Sequence, residues 1–160
     1  MQQKYFILRL NHRIIRDKRL STHVGLIARA FGASGLIYSG EKDNKLENSI
    51  YEINKSWGGD FTVEYWDDWL LQLKLSSNLN FTLVHLTMYG VPIQNIQKQI
   101  KDCFIKKKKN IIFIVGGAKV PDILYKISEF NVSVTNQPHS EAGALAVTLD
   151  RIFENSISGF

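Results

Sequence analysis

Residues 111–127 read IIFIVGGAKVPDILYKI. IIFIV (111–115) is five apolar residues without a polar interruption, the pattern of a strand covered on both faces. GGAKV then turns the chain, and Pro121 opens PDILYKI (121–127), a proline at a helix start. Strand, glycine turn and helix in immediate succession are one step of an α/β fold. The same alternation extends both ways. YFILRL (5–10), GLIYS (35–39), FTVEYW (61–66), FTLVHLTM (81–88) and VSVT (132–135) read as further strands.

The helices between them carry their own signals. Ser21 or Thr22 is placed to cap a helix through HVGLIARAF, which Gly32 ends. Leu46, Ile50, Ile53 and Trp57 fall on one helical face, stopped by Gly58-Gly59. Asp67 can cap DDWLLQLKL (67–75). Ile93, Ile96, Ile100 and Phe104 repeat helical spacing after Pro92, and a last helix runs from about Ser140 to Phe153. Strands alternating with helices predict an α/β fold with a mainly parallel sheet flanked by helices. The 160 residues suit one domain spanning 1–160.

The chain carries a net charge of +5, and one cysteine, Cys103. A lone cysteine excludes an intramolecular disulfide and a cysteine-rich zinc site, and fits a cytoplasmic location. No signal peptide and no membrane-length apolar run is read. Residues 1–29 hold seven basic side chains against one acidic, Asp17, and the rest of the chain is close to neutral. Such focusing points to a polyanion partner, with Arg9, Arg13, Arg16, Lys18 and Arg19 as phosphate contacts. The run Lys106–Lys109 follows a helix and reads as a solvated end that complements its dipole.

Ligands of parallel α/β sheets bind beyond the carboxyl ends of the strands. Three such ends carry unusual loops: HLTMYG (85–90), VGGAKVP (115–121) and TNQPHSE (135–141). Their glycines admit a close backbone approach and their polar groups suit a purine edge and a ribose. There is no G-x-G-x-x-G after the first strand and no Walker-type motif, which removes dinucleotide and NTPase fingerprints. His12, His23, His85 and His139 show no ligand spacing, so no metal is expected.

Three segments resemble the motifs of the SPOUT superfamily of knotted methyltransferases: STHVGLIARAFGASGL (21–36), IIFIVGGAKVP (111–121) and VTNQPHSEAGALAVTLDRIF (134–153). Within it, LRLNHRIIRDKRLSTHV, VHLTMYG and NQPHSE are similar to the archaeal tRNA (cytidine-56) 2′-O-methyltransferases. One departure is Ala118, where the family's second motif leads one to expect an acidic residue.

The resemblance implies a C-terminal trefoil knot and a homodimer, with a basic half at 1–80 and a knot and cofactor half at 81–160. It implies S-adenosyl-L-methionine held by Leu86, by Gly116, Gly117, Ala118, Lys119 and Val120, and by Val134, Thr135, Asn136, Gln137, Pro138, His139, Ser140 and Glu141. It implies tRNA as the substrate and 2′-O-methylation of cytidine 56 in the T-loop. The alternatives are another RNA nucleotide or base as target, or a non-catalytic RNA-binding protein. It points to Arg29 as the catalytic residue. A guanidinium with a pKa above ~12 is a poor proton acceptor, so Arg29 would stabilise a developing alkoxide or clamp a phosphate. Glu141 and His139 are candidates to take the hydroxyl proton, and the sequence does not choose between them. The last helix, apolar all round, fits burial in a dimer.

Overall fold

A computed structural model describes residues 2–116 and 119–153. Its elements are β1 (Tyr5–His12), α1 (Ile14–Ala30), β2 (Gly35–Gly40), α2 (Asn44–Trp57), β3 (Thr62–Tyr65), α3 (Trp69–Ser77), β4 (Phe81–Pro92), α4 (Ile93–Ile105), β5 (Asn110–Val115), α5 (Asp122–Ile127), β6 (Phe130–Ser133) and α6 (Glu141–Ile152). The six strands form one sheet in the order β3-β2-β1-β5-β4-β6. Every pairing among them is parallel.

Side-chain alternation sorts the core into two layers. Ile7, Ile111, Phe113 and Val115 face one way, with Val24 and Ala28 of α1, Leu46 and Ile50 of α2, Ile100 of α4 and Leu145 and Leu149 of α6. Leu8, Leu10, Ile112 and Ile114 face the other way, with Leu73 of α3 and Leu124 of α5. The expected strand IIFIV is therefore buried on both faces, as a continuous apolar run requires.

This sorting creates a switch point. After β1 the chain crosses over through α1 on the first face; after β5, its neighbour, it crosses through α5 on the second. Adjacent parallel strands whose connections leave to opposite faces open a crevice at their carboxyl ends. The two cavities described below lie there.

Several boundaries differ from the sequence reading. Helix α1 starts at Ile14 rather than after Ser21. Ser21 lies mid-helix and fully buried, where its hydroxyl meets His12 Nδ1 at 2.6 Å. The helix start uses Asp17 instead, whose carboxylate accepts from the Arg13 N–H at 3.0 Å. Asp68, not Asp67, caps α3 by accepting from the Leu71 N–H. Trp57, the last member of the expected apolar face of α2, is 80% exposed, because the helix ends there before the ring can return to the sheet. Strand β6 lies two residues earlier than VSVT, fixed by pairing of Phe130 with Val84.

Strand β4 is also longer than expected. It pairs with β6 through Leu86, then again through Val91, with an irregularity between them. At Gly90 an added Cβ would lie 2.5 Å from the backbone of Asn131 and Val132, so only glycine lets the two strands pass.

Candidate active site

One cavity of about 550 Å³ opens beside the β4 irregularity, within the range of small-ligand sites. Its apolar lining comes from Leu86, Val115, Val120, Val132, Val134 and Ala144, and its polar lining from Thr87, Asp122, Tyr125 and Glu141 among others. Gly116 lies close against Val120: an added Cβ would meet Val120 Cγ1 at 2.4 Å. His85 is 1% exposed and pairs with Asn131 Oδ1 at 3.0 Å. Asn131 spends its amide N–H on the Tyr125 carbonyl, so its oxygen faces His85 and accepts the Nδ1 hydrogen. Burial pushes the His85 pKa below the usual histidine range, against the opposing effect of its hydrogen bond to Asn131, and so favours the neutral ring.

The structure brings Leu86, Gly116, Lys119, Val120, Val134, Pro138, His139 and Glu141 of the expected cofactor set to this cavity. Gly117 and Ala118 fall outside the described residues. Thr135, Asn136 and Gln137 do not line the cavity; Thr135 Oγ1 accepts from the Gln137 N–H at 3.2 Å and shapes the loop. Ser140 lines the neighbouring cavity and caps α6 by accepting from the Gly143 N–H. Thr87, Met88 and Tyr89, within the HLTMYG loop, also line the cavity, as do Asp122 and Tyr125, which carry no sequence signal because they sit on a short helix.

A second, more open cavity of about 700 Å³ adjoins the first. Arg13 and Arg16, both exposed, come from the start of α1; Asn11 and His12 come from the end of β1. Asn11 has φ 59°, at an irregularity in the strand between Arg9 and His12, and its side-chain amide donates to the Lys119 carbonyl at 3.0 Å. Lys18 and Arg19 are exposed on α1 but do not line either cavity. Lys119, His139 and Glu141 line both cavities and form their common wall.

Arg9 corrects the sequence reading. It was expected on the basic surface, and it is 1% exposed at the base of the second cavity. Its Nη2 lies 3.6 Å from Asp17 and 3.4 Å from Glu141, and Nη1 donates to the Leu10 carbonyl at 2.5 Å. A strand residue between Leu8 and Leu10 cannot leave the sheet, so its charge is met by carboxylates brought to it.

His12 sits in a comparable buried knot of polar groups. Its Nε2 donates to Asp43 Oδ2 at 2.8 Å, and Asp43 Oδ1 accepts from the Leu46 N–H at 3.0 Å, capping α2. Burial works to raise the Asp43 carboxyl, but the hydrogen bonds from His12 and Leu46 outweigh it and hold it below the usual range. The row Ser21, His12 and Asp43 resembles a hydrolase triad in order. Ser21 is wholly buried and lines neither cavity, so the row fastens β1, α1 and α2 together.

Arg29 lies near the other end of α1, roughly 20 Å along the axis from Arg16. Its Nε donates to Asn54 Oδ1 at 2.9 Å and its Nη2 to the Gly58 carbonyl at 2.5 Å. Within one chain it touches neither cavity. Among the described residues no cluster of three or more His, Cys, Asp or Glu side chains is placed to hold a metal. Likewise no helix among them is long and apolar enough to cross a membrane.

Residues 57–158 match the family model described as tRNA ribose 2′-O-methyltransferase, aTrm56. A tRNA (cytidine(56)-2′-O)-methyltransferase of Methanocaldococcus jannaschii is 48% identical over 151 residues, covering 92% of this chain and 80% of that protein. The Pyrococcus horikoshii protein of the same name is 45% identical, covering 92% of this chain and 71% of its own length. The chain spans only 41% of a Thermoplasma volcanium relative, also 45% identical. Among solved structures, an AdoMet-bound rRNA methyltransferase from Sinorhizobium meliloti superposes with a TM-score of 0.71 at 15% identity. That match covers 99% of this chain and 59% of the other, a likeness of fold alone.

Proposed function

The chain belongs to the archaeal tRNA ribose 2′-O-methyltransferase family, and we propose from that premise that it methylates the ribose 2′-oxygen of cytidine 56 in tRNA with S-adenosyl-L-methionine. The observation that carries this reading is the common wall of Lys119, His139 and Glu141 between a mainly apolar cavity and a basic one. A methyl donor in the first and a ribose in the second have their reacting atoms at that wall.

The first cavity fits the donor. Its volume accommodates an adenosine, its lining includes an apolar set from Leu86 to Ala144, and at Gly116 an added Cβ would crowd the Val120 side chain. Leu86, Gly116, Val120, Val134 and Ala144 would hold the group, with Thr87, Asp122 and Tyr125 offering polar partners. When bound, its sulfonium supplies an electrophilic methyl. The protein's own contribution is alignment, worth about 7–11 kcal/mol in favourable cases, and exclusion of water by the apolar walls.

Arg13 and Arg16 line the second cavity from the exposed start of α1, where they meet the phosphates beside the target nucleotide. Lys18 and Arg19 continue the basic surface along the same helix. Phosphate contacts position the RNA without reading it, so selection of cytidine 56 rests on loop shape and an exposed base.

The C-terminal segment is proposed to thread as a trefoil knot, a reading supported by the close passage of β6 at Gly90. Ile15 of α1 is 98% exposed, and α6, which packs on α1, exposes Val147. These apolar groups suit a homodimer. Arg29 enters the chemistry only from the second copy, as a cation for the developing alkoxide or a neighbouring phosphate. The whole is proposed to act as one cytoplasmic catalytic unit.

Incubation of the protein with unmodified tRNA and methyl-labelled donor, followed by alkaline hydrolysis, tests the function. Label in an alkali-resistant dinucleotide beginning with cytidine 56 is expected. Label on a base, or none, would end the proposal.

A further inference from the structure

We propose that Glu141 takes the proton of the attacking ribose hydroxyl on Oε2, and that the buried Arg9 is the positioning residue that holds it for this task. The inference rests on the methyl transfer proposed above. Three side chains form the wall where the reacting atoms meet. Lys119 is an ammonium with no lone pair to offer. His139 is exposed, with Nδ1 donating to the Gln137 carbonyl at 2.7 Å. Glu141 stands on the first turn of α6 with Oε2 buried and, among the described residues, without a hydrogen-bond partner.

The charge count explains why that oxygen is available. Arg9 lies between two carboxylates, Asp17 and Glu141. Asp17 also accepts from the Arg13 N–H at 3.0 Å, so it is engaged twice. Among the described residues, the Glu141 carboxylate has the Arg9 guanidinium at 3.4 Å as its ion-pair partner, beyond hydrogen-bond length for good geometry. One guanidinium, Arg9, is thus shared by two carboxylates. Glu141 lacks the second donor that Asp17 has and is the one of the two that lines both cavities, which leaves it the freer to accept a proton.

The groups facing Glu141 act in both directions. Burial pushes its carboxyl above the usual range; Arg9 draws it down, Asp17 raises it, and Arg16 and His139 draw it down. The result is a carboxylate more basic than an ordinary glutamate, which suits a general base. In the step, the hydroxyl O–H bond breaks and its proton goes to Oε2. The oxygen pair forms the bond to the methyl carbon, and the carbon–sulfur pair stays with sulfur as a neutral thioether leaves. The carboxyl then returns its proton to water.

A carboxylate that merely complements the α6 dipole would not govern the pH profile. In Glu141→Gln, turnover should fall ~10²–10⁴-fold, while binding of S-adenosylhomocysteine and of tRNA stays within about threefold and the acidic limb of the rate profile disappears. His139→Gln should keep that limb. By carbon-detected NMR, the Glu141 carboxyl of the unliganded wild type should titrate above the ordinary ~4.3. In Arg9→Gln its proton affinity should rise about tenfold or more. Turnover within tenfold of wild type in Glu141→Gln, a wild-type carboxyl titrating at or below the ordinary value, or an acidic limb lost in His139→Gln and kept in Glu141→Gln would each overturn the proposal. The NMR titration decides the case even where a variant fails to fold. A wild type that labels no ribose sinks the parent reading, an outcome distinct from a labelling wild type with an unimpaired Glu141→Gln.

Discussion

The carboxyl and amino edges of the sheet use arginine in opposite ways. At the carboxyl edge Arg9 rises from a central strand, buried, with two carboxylates as its partners and two cavities beside it. At the amino edge Arg29 leaves the last turn of α1, half-buried, with a side-chain amide and a backbone carbonyl as its partners. The first arrangement sets charge at a place where molecules meet. The second ties the ends of α1 and α2 together and, among the described residues, pairs the guanidinium with no carboxylate. The proposed homodimer would put that charge to use in the second copy's site.

The largest expected effect tests that use. Arg29→Ala should lower turnover ~10²–10³-fold, the usual cost of losing one preorganised donor, with cofactor and tRNA binding kept. If Arg29 serves the partner's site, mixing Arg29→Ala with Glu141→Gln subunits should restore about a quarter of wild-type turnover, since random pairing gives one good site in half of the dimers. No recovery on mixing would place Arg29 in its own chain's site or restrict it to holding helices.

A smaller effect is expected at the fastener beside the basic cavity. Asp43→Asn should cost about 1–3 kcal/mol at pH 7, by leaving the buried His12 N–H with a poorer partner. The Asp43 carboxyl is held low in the folded state. Its stabilisation is therefore present above the unfolded value of about 3.9 and lost as pH falls through the depressed folded value. Thermal unfolding of wild type and variant should differ at pH 7 and converge in acid. A gap that stays constant with pH would remove the titration from the account.

Smallest are the phosphate contacts. Arg13→Ala and Arg16→Ala should each weaken tRNA binding several-fold and flatten the slope of log affinity against log salt by about one. An Arg16→Ala variant with an unchanged slope would move the RNA surface away from the start of α1.

How far the sequence carried this picture depends on the range of the interactions involved. Strands such as IIFIV and YFILRL were legible because burial on both faces leaves a local apolar record. The Gly116 turn and Glu141 were legible through motif resemblance. Arg9 was misread because its two partners lie 8 and 132 positions away, and only the folded chain shows that they meet. Ser21 looked like a cap because a hydroxyl before an apolar helical stretch usually is one; a histidine nine residues earlier claimed it instead. Asp122 and Tyr125 reach the first cavity only because β6 turns α5 back over β4, which no local pattern records.

The division of labour between the two cavities is open to one direct measurement, hydrogen exchange followed by mass spectrometry with each ligand added separately. S-adenosylhomocysteine should protect peptides covering 85–91, 115–125 and 132–145 and leave 11–20 unchanged, whereas tRNA should protect 11–20 and the shared segment 139–141. Protection of 11–20 by the cofactor product, with 85–91 and 115–125 unaffected, would contradict the assignment of donor and RNA to these two sides of the wall.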